Sequence, residues 1–143
     1  MAKKKNWSQG IFTPKFPEKY LGDPTQIHYR SSWELYFNTY IDANPNVIKW
    51  ASEEIEIPYL HPFYNQIRTY YPDYFVEYVD TAGRHKKEII EVKPENQIKL
   101  PKNAKRAEQE TYLINLSKWD SCKKFCDKYG IDFRIVSEKQ LFR

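Results

Sequence analysis

The chain contains little cysteine. Only two of its 143 residues are cysteines, Cys122 and Cys126, and they lie four positions apart. No second Cys or His pair stands nearby at ligand spacing, so the pattern argues against both a structural zinc site and a disulfide framework. So few cysteines fit a reducing, intracellular setting.

Long hydrophobic runs are also missing. No apolar stretch reaches the length of a membrane helix, so we expect no membrane partner. The basic N-terminus lacks the apolar segment that follows it in a signal peptide. The three histidines, His28, His61 and His85, fall in turns or at strand ends without partners at ligand spacing. We therefore expect them at the surface rather than on a metal ion.

Length and composition predict one packed domain. Hydrophobic residues make up 41% of the chain and aromatic residues 17%, which is enough for a core. The net charge of +4 permits a polyanionic partner without demonstrating one. Three prolines before residue 25 block regular helix there. We therefore expect residues 1–30 to form an extended, irregular arm packed on a single domain of residues 31–143.

The strongest local pattern runs from Pro72 to Lys93. Two alternating apolar runs flank the short polar break at residues 81–84, which predicts a β-hairpin. With the turn centred on Ala82, Asp73 faces Glu91, and Lys93 shares the face of Glu91. The hairpin therefore gathers two carboxylates and one ammonium group at its open end.

Two facing carboxylates repel each other, and a divalent cation offsets that cost. A simpler interpretation is that Asp73 and Lys93 are solvated strand ends and that Glu91 forms a cross-strand salt bridge. The neighbours Ile89, Ile90 and Val92 place apolar side chains on both faces, however. Charges in so buried a strand need a reason, which favours a functional site.

A helix over residues 32–44 is predicted upstream of the hairpin. Ser31 suits its N-cap, and Glu34 three residues later completes a capping box. Glu34 also lies at the edge of the apolar arc of this helix, so it could lean towards the open end of the hairpin. The arc consists of Trp33, Tyr36, Phe37, Tyr40 and Ile41.

The remaining chain supplies strands and a second helix. Residues 47–50 and 54–59 read as one bent strand or two, with a loop to residue 66. A long helix over 103–129 ends at the C-cap Gly130, and a strand over 131–136 and a helical turn over 138–142 follow. The apolar face of the long helix comprises Tyr112, Leu116, Trp119, Cys122, Phe125, Cys126 and Tyr129. A strand, crossover helix and strand are most simply parallel. The expected fold is therefore α/β (α+β): an αβββαβ core whose mixed sheet carries helices on both faces.

Pro72-Asp73 followed by Glu91-Val92-Lys93 resembles the motif of the PD-(D/E)xK nuclease superfamily, whose restriction-endonuclease-like core has this element order. Within it, the chain is similar to the head-completion nucleases of T-even-type bacteriophages. The stretches that carry this likeness are Gly22-Asp23-Pro24, Tyr29–Glu34, Ile89–Pro94, Ser117-Lys118-Trp119 and Phe133-Arg134-Ile135.

The resemblance implies the site residues. Its catalytic set is Glu34, Asp73, Glu91 and Lys93. Asp73, Glu91, the Val92 carbonyl and Glu34 would hold Mg²⁺, for which Mn²⁺ may substitute. The residues expected to contact DNA are Arg30, Lys102, Lys105, Arg106, Lys3, Lys4 and Lys5. For the lysine and arginine clusters, a solvated face is the alternative.

The resemblance also implies a function. The chain would be a metal-dependent DNA endonuclease acting in phage head completion and DNA packaging, in the host-cell cytoplasm and the virion head. Its partners would be DNA and phage head or portal proteins. Two alternatives stay open: a non-cutting structural DNA-binding component of the head, and an endonuclease of the junction-resolvase or transposon-end type. Oligomeric state and DNA preference are not predicted.

Overall fold

The computed structural model describes residues 9–141, and its centre is a four-stranded mixed sheet. In chain order these strands are β3 (Val47–Ser52), β6 (Tyr74–Val79), β7 (His85–Val92) and β8 (Asp132–Val136). Spatially they lie in that same order, with β6 antiparallel to both β3 and β7 and β8 parallel to β7. The expected mixed sheet and parallel last strand are confirmed.

Two helices cover the two faces of this sheet. They are α1 (Ser32–Ala43) and α3 (Arg106–Tyr129); α3 ends at Gly130, whose φ of 69° is left-handed as a C-cap requires. Two short helices accompany them, α2 (Glu95–Ile98) and α4 (Glu138–Leu141). Helix α2 replaces part of the irregular segment expected before the long helix, and α3 begins three residues later than predicted.

The sheet separates two hydrophobic cores, and adjacent residues of β7 point into different ones. Ile90 and Val92 pack on the α1 side with Phe37 and Ile41 of α1. Ile89 packs on the α3 side with Trp119 of α3. Alternation along β7 therefore directs Glu91 towards the α3 side, the side to which Ile89 points.

A separate two-stranded hairpin precedes the central one. Its strands are β4 (Ile57–Leu60) and β5 (Ile67–Tyr70), paired antiparallel and packed beside α3. The sequence pattern predicted a loop at residues 60–66 and did not predict β5. The reason is that Ile67, Arg68 and Thr69 are all exposed, so β5 shows no alternation of buried and exposed side chains.

The N-terminal segment is more regular than expected. Strands β1 (Gly10–Phe12) and β2 (Ile27–Tyr29) pair antiparallel, with a single 3-10 turn at Pro17–Lys19 between them. Phe12 and Ile27 are buried in the α1-side core. The ring of Tyr20 lies edge-on to the fully buried Trp50, with centroids 4.8 Å apart. This segment therefore contributes to the core itself.

Helix α1 is rotated relative to the predicted apolar arc. Tyr36 and Tyr40 are 68% and 62% exposed, so the expectation that they face the core was wrong. Asn38 and Asp42 are buried instead. The Asn38 side-chain oxygen accepts a hydrogen bond from the Tyr74 hydroxyl at 2.5 Å. This hydrogen bond satisfies one of the two polar groups of the Asn38 side chain; its Nδ2 has no partner among residues 9–141.

Helix α3 departs from its predicted face in the same way. Leu116 and Tyr129 were expected to pack inward, but they are 41% and 56% exposed, whereas Asn115 is buried. Trp119, Cys122 and Cys126 do form the buried stripe, at spacings of three and four.

Candidate active site

Two carboxylates meet at the open end of the β6–β7 hairpin. The pairing of Tyr74 with Ile90 continues by one step, which places Asp73 opposite Glu91 as predicted. The Asp73 amide donates to Glu91 Oε1 at 3.2 Å, and the Val92 amide donates to Asp73 Oδ2 at 2.8 Å. Each carboxylate is therefore held by the backbone of the opposite strand. Glu91 is only 3% exposed.

Lys93 joins this pair from the end of β7. Its Nζ lies 3.7 Å from Glu91 Oε2. Its amide donates to the Val136 carbonyl at 2.9 Å, which extends the pairing with β8 by one residue. The structure therefore brings Asp73, Glu91 and Lys93 together on one face of the sheet.

The carboxylate pair is electrostatically strained. Burial, reinforced by the negative charge of Glu91, raises the pKa of Asp73 to about 8, although the Val92 amide and Lys93 act in the opposite direction. Two adjacent carboxylates in a poorly solvated site cannot both ionise cheaply. Without a further cation, the pair therefore retains a proton near neutral pH.

A tyrosine hydroxyl beside the pair is unsatisfied. Tyr70 Oη is buried and has no hydrogen-bond partner among residues 9–141. Burial and the nearby negative charge of Glu91 raise the pKa of Tyr70. Buried polar atoms are normally satisfied by protein or water, and the charge next to this hydroxyl is that of Glu91. The two carboxylates and the Val92 carbonyl are oxygen ligands of the kind that a hydrated divalent cation such as Mg²⁺ takes.

The structure does not bring Glu34 into contact with Asp73 or Glu91 among the described residues. Glu34 lies in α1, on the opposite face of the sheet from Glu91. Its Oε1 accepts the Arg30 amide and the Ser31 hydroxyl, both at 3.3 Å, and its own amide donates to Ser31 Oγ. Burial raises the pKa of Glu34. In the part of the chain described, no group of three acidic, His or Cys side chains is close enough to share one metal ion.

Arg30 lies near Glu53, Glu34 and Asp73. Its guanidinium pairs with Glu53. The pKa of Arg30 is raised mainly by Glu53, with further contributions from Glu34 and Asp73. Glu53 has a left-handed φ of 55°, and its amide donates to the Asp73 carbonyl at 3.1 Å. Arg30 thus lies at the acidic end of the sheet with a carboxylate partner already in place.

The other predicted DNA contacts are more remote or fall outside the structure. Lys102, Lys105 and Arg106 are exposed around the start of α3, and Arg106 pairs with Glu110 at 3.2 Å. Among the contacts of the described residues, none joins these three side chains to Asp73 or Glu91. Lys3, Lys4 and Lys5 lie outside the described residues.

Several neighbours of the site were not predicted from the sequence. Tyr70 precedes Asp73 by three residues, and Lys118 of α3 lies with its Nζ 5.7 Å from the ring centroids of both Tyr59 and Tyr70. Lys118 stands between Ser117 and Trp119 in one of the stretches on which the family resemblance rests, and this was its only signal. A lysine on an amphipathic helix is ordinarily a solvated residue.

The histidines meet the surface expectation in part. His28 and His85 are exposed, but His61 is 5% exposed, so the prediction for His61 was wrong. Its Nδ1 accepts hydrogen bonds from the backbone amides of Phe63 and Tyr64, which makes it a structural part of the β4–β5 loop.

Within residues 9–141, no helix is long and apolar enough to cross a membrane.

The part of the chain that holds these carboxylates is similar to a known family. A family model described as TnsA-like endonuclease N terminal matches residues 44–138, a range that contains Asp73, Glu91 and Lys93. The chain belongs to the TnsA-like endonuclease family. A relative of this TnsA-like endonuclease is the head completion nuclease of Enterobacteria phage T4. It is 34% identical over 142 residues, which cover 92% of each chain. The expected superfamily and restriction-endonuclease-like fold are thereby confirmed.

Proposed function

We propose that this endonuclease hydrolyses DNA phosphodiester bonds with a divalent cation, and that it acts in phage head completion. The similarity to the phage T4 head completion nuclease over nearly the whole chain supports the biological role. The observation that carries the chemistry is the pairing of half-buried Asp73 with buried Glu91, with Lys93 beside them. DNA and phage head or portal proteins would be its partners, in the host-cell cytoplasm and the virion head.

The proposed metal ligands are the Asp73 and Glu91 carboxylates and the Val92 carbonyl, with Mg²⁺ as the ion and Mn²⁺ as a substitute. Glu34, which lies in α1 on the other face of the sheet, would orient water or support a second ion. When bound, a divalent cation lowers the pKa of water and stabilises charge on the attacking and leaving oxygens.

The residues of the chain then assist hydrolysis. A water molecule gives up a proton to solvent as its oxygen bonds to phosphorus, the bond from phosphorus to the leaving oxygen breaks, and that oxygen takes up a proton from solvent. The Lys93 ammonium lies within 3.7 Å of Glu91 Oε2, where it can stabilise the negative charge that develops on the phosphoryl oxygens. The amides of Asp73 and Val92 keep the carboxylates oriented.

A non-cutting structural component is the main alternative. Such a protein gains nothing from two facing buried carboxylates, which cost stability in the absence of a cation. A junction or transposon-end endonuclease would use the same chemistry and would differ in the DNA structure that it cuts.

Replacement of the central charges tests the proposal. Glu91→Gln and Lys93→Ala should each abolish Mg²⁺-dependent cleavage, because they remove a metal ligand and the charge that stabilises the transition state. Loss of one such electrostatic contact typically reduces kcat by about 10²–10³. Cleavage of linear, nicked, circular and branched DNA by purified protein is the measurement.

Two substitutions in the same strand are matched controls. Glu88→Gln alters a buried glutamate three residues before Glu91, and Lys87→Ala removes an exposed lysine. Both should cut like the wild type. Wild-type rates in Lys93→Ala would refute the assignment of Lys93. A wild-type protein that neither cuts nor binds Mg²⁺ would favour the structural alternative.

A further inference from the structure

Two cations near the site rest on aromatic rings instead of carboxylates. Lys118 Nζ lies 5.7 Å from the ring centroids of Tyr59 and Tyr70. The Arg68 guanidinium lies 5.2 Å from the ring centroid of Tyr64. Within residues 9–141, neither cation forms a salt bridge with an acidic side chain. Aromatic faces attract cations without neutralising them, so both charges stay available to an anion.

The surroundings of Lys118 make an external anion especially favourable. Lys118 is only partly exposed on α3. Its pKa is lowered by burial and by the positive charge of Lys93, while Glu91 acts in the opposite direction. Glu91 is already paired with Lys93 at 3.7 Å, so a phosphate would give Lys118 a counter-charge of its own. Lys118 thus lies next to the carboxylate site.

Strand register places Arg68 further along the same surface. Tyr59 pairs with Arg68, and Ile57 pairs with Tyr70, so the side chains of Tyr59, Arg68 and Tyr70 leave one face of the β4–β5 hairpin. Lys118 contacts two of these three residues. His61 is close to both cations: after burial, the charges of Arg68 and Lys118 lower its pKa. Lys93, Lys118 and Arg68 therefore follow one another outward from the carboxylates.

We propose that Lys118 and Arg68 form a phosphate-binding track on the inner face of the β4–β5 hairpin, and that this track holds the DNA strand adjoining the bond that is cut. The inference rests on the proposed nuclease function and extends it. Lys118 and Arg68 form no salt bridge among the described residues and lie beside a phosphodiester-cleaving centre, so they are suited to accept the phosphates of a nucleic-acid backbone.

Salt-dependent binding tests the track. Lys118→Met and Arg68→Met keep long side chains but remove one charge each. Binding of a fluorescent DNA duplex would be measured in EDTA, where cleavage is prevented, over a series of salt concentrations. Each variant should reduce the slope of log K against log[salt] by about 0.9 and weaken binding about fivefold at 0.15 M salt, since one phosphate contact is lost. The double variant should lose about twice that slope.

Matched controls come from the same kinds of element. Lys123→Met removes an exposed α3 lysine that pairs with Asp127, and Arg84→Met removes an exposed arginine at the β6–β7 turn. Both should retain the wild-type slope. Lys118→Arg should restore most of the affinity lost in Lys118→Met, and in cleavage assays Lys118→Met should raise KM more than it lowers kcat.

The outcomes separate the track from the nuclease assignment. If the wild type cuts DNA but Arg68→Met and Lys118→Met keep its salt slope, the track is refuted and the nuclease function stands. A hairpin that instead binds a protein partner would give that result. If the wild type neither binds nor cuts DNA, the nuclease function itself fails. Because Arg68 is exposed, its variant should fold and decide the matter even if Lys118→Met proves unstable.

Discussion

At the residue scale, the Asp73 carboxylate lowers the stability of the metal-free protein at neutral pH. Its pKa of about 8 lies above the value of about 4 expected in the unfolded chain. Between these two pH values the folded site keeps a proton that the unfolded chain has lost. Stability without metal therefore falls as pH rises from about 4 to about 8.

The substitution Asp73→Asn should remove this pH-dependent loss of stability. Asparagine retains an oxygen that can accept the Val92 amide and has no charge to repel Glu91. We expect the Tm of the metal-free variant to exceed that of the wild type, by a margin that grows from pH 5 to pH 8. Thermal unfolding in EDTA at several pH values measures this margin.

With Mg²⁺ bound, the wild type should have a higher Tm than Asp73→Asn. An ion that binds only the folded site stabilises the wild type by mass action, whereas the variant lacks one ligand. We therefore expect Mg²⁺ to raise the Tm of the wild type more than that of Asp73→Asn. A Tm difference in EDTA that stays constant from pH 5 to pH 8 would contradict the assigned pKa.

At the same scale, the sequence pattern could locate some residues of the site and not others. Asp73, Glu91 and Lys93 could be located because strand alternation and a countable turn fix which side chains face each other. Tyr70 and Lys118 could not, because their neighbours come from the packing of α3 on a hairpin whose second strand, β5, has no periodic pattern. Glu34 was placed on the correct helix, but no periodicity shows on which side of the sheet that helix lies.

At the element scale, the C-terminal end of α3 and the buried strands were predictable, whereas the start of α3 and the exposed strands were not. Gly130 and the β6–β7 hairpin follow from local backbone preferences and side-chain period. Strand β5 is nearly all exposed, and its pairing with β4 depends on contacts that no local pattern reveals. The rotation of α1 was missed because Asn38 and Asp42 are buried through hydrogen bonds rather than hydrophobicity.

The end of α3 provides a test of backbone strain alone. At Gly130, φ is 69°, and apart from its chain neighbours no residue in the described part of the chain has an atom within 4 Å of the position that a Cβ atom would take, so Gly130→Ala creates no clash there. The left-handed conformation should still cost about 1–2 kcal/mol for alanine. We expect chemical denaturation to show that loss while DNA cleavage at room temperature stays unchanged. Gly130→Asn should lose less, since asparagine tolerates this conformation better; equal losses for the two would argue against backbone strain as the cause.

At the scale of the whole molecule, one sheet joins two cores, so we expect the described fold to unfold as a unit. Ile89→Ala opens a cavity on the α3 side, and Ile90→Ala opens one on the α1 side. Each should reduce the free energy of unfolding by about 2–5 kcal/mol. Both variants should keep a single transition, with tryptophan fluorescence and far-UV circular dichroism coincident. Separate transitions in either variant would show that the two layers are independent.

The N-terminal segment contributes side chains to one of these two cores. Phe12, Tyr20 and Ile27 lie in the α1-side core, so a cut at residue 30 would expose apolar surface. The boundary between an arm of residues 1–30 and a domain of residues 31–143 stays a prediction. The packing indicates that the domain requires at least part of the arm.

The turn of the β6–β7 hairpin is a suitable place to attach a fluorescent label. Ala82 is exposed there, three residues beyond the end of β6 at Val79; the six strand residues alone place it roughly 20 Å from Asp73 at about 3.3 Å per residue. Cys122 and Cys126 are both buried. A thiol introduced as Ala82→Cys should therefore react selectively with a maleimide dye, and the labelled enzyme could be followed on DNA without a fluorophore near the carboxylates.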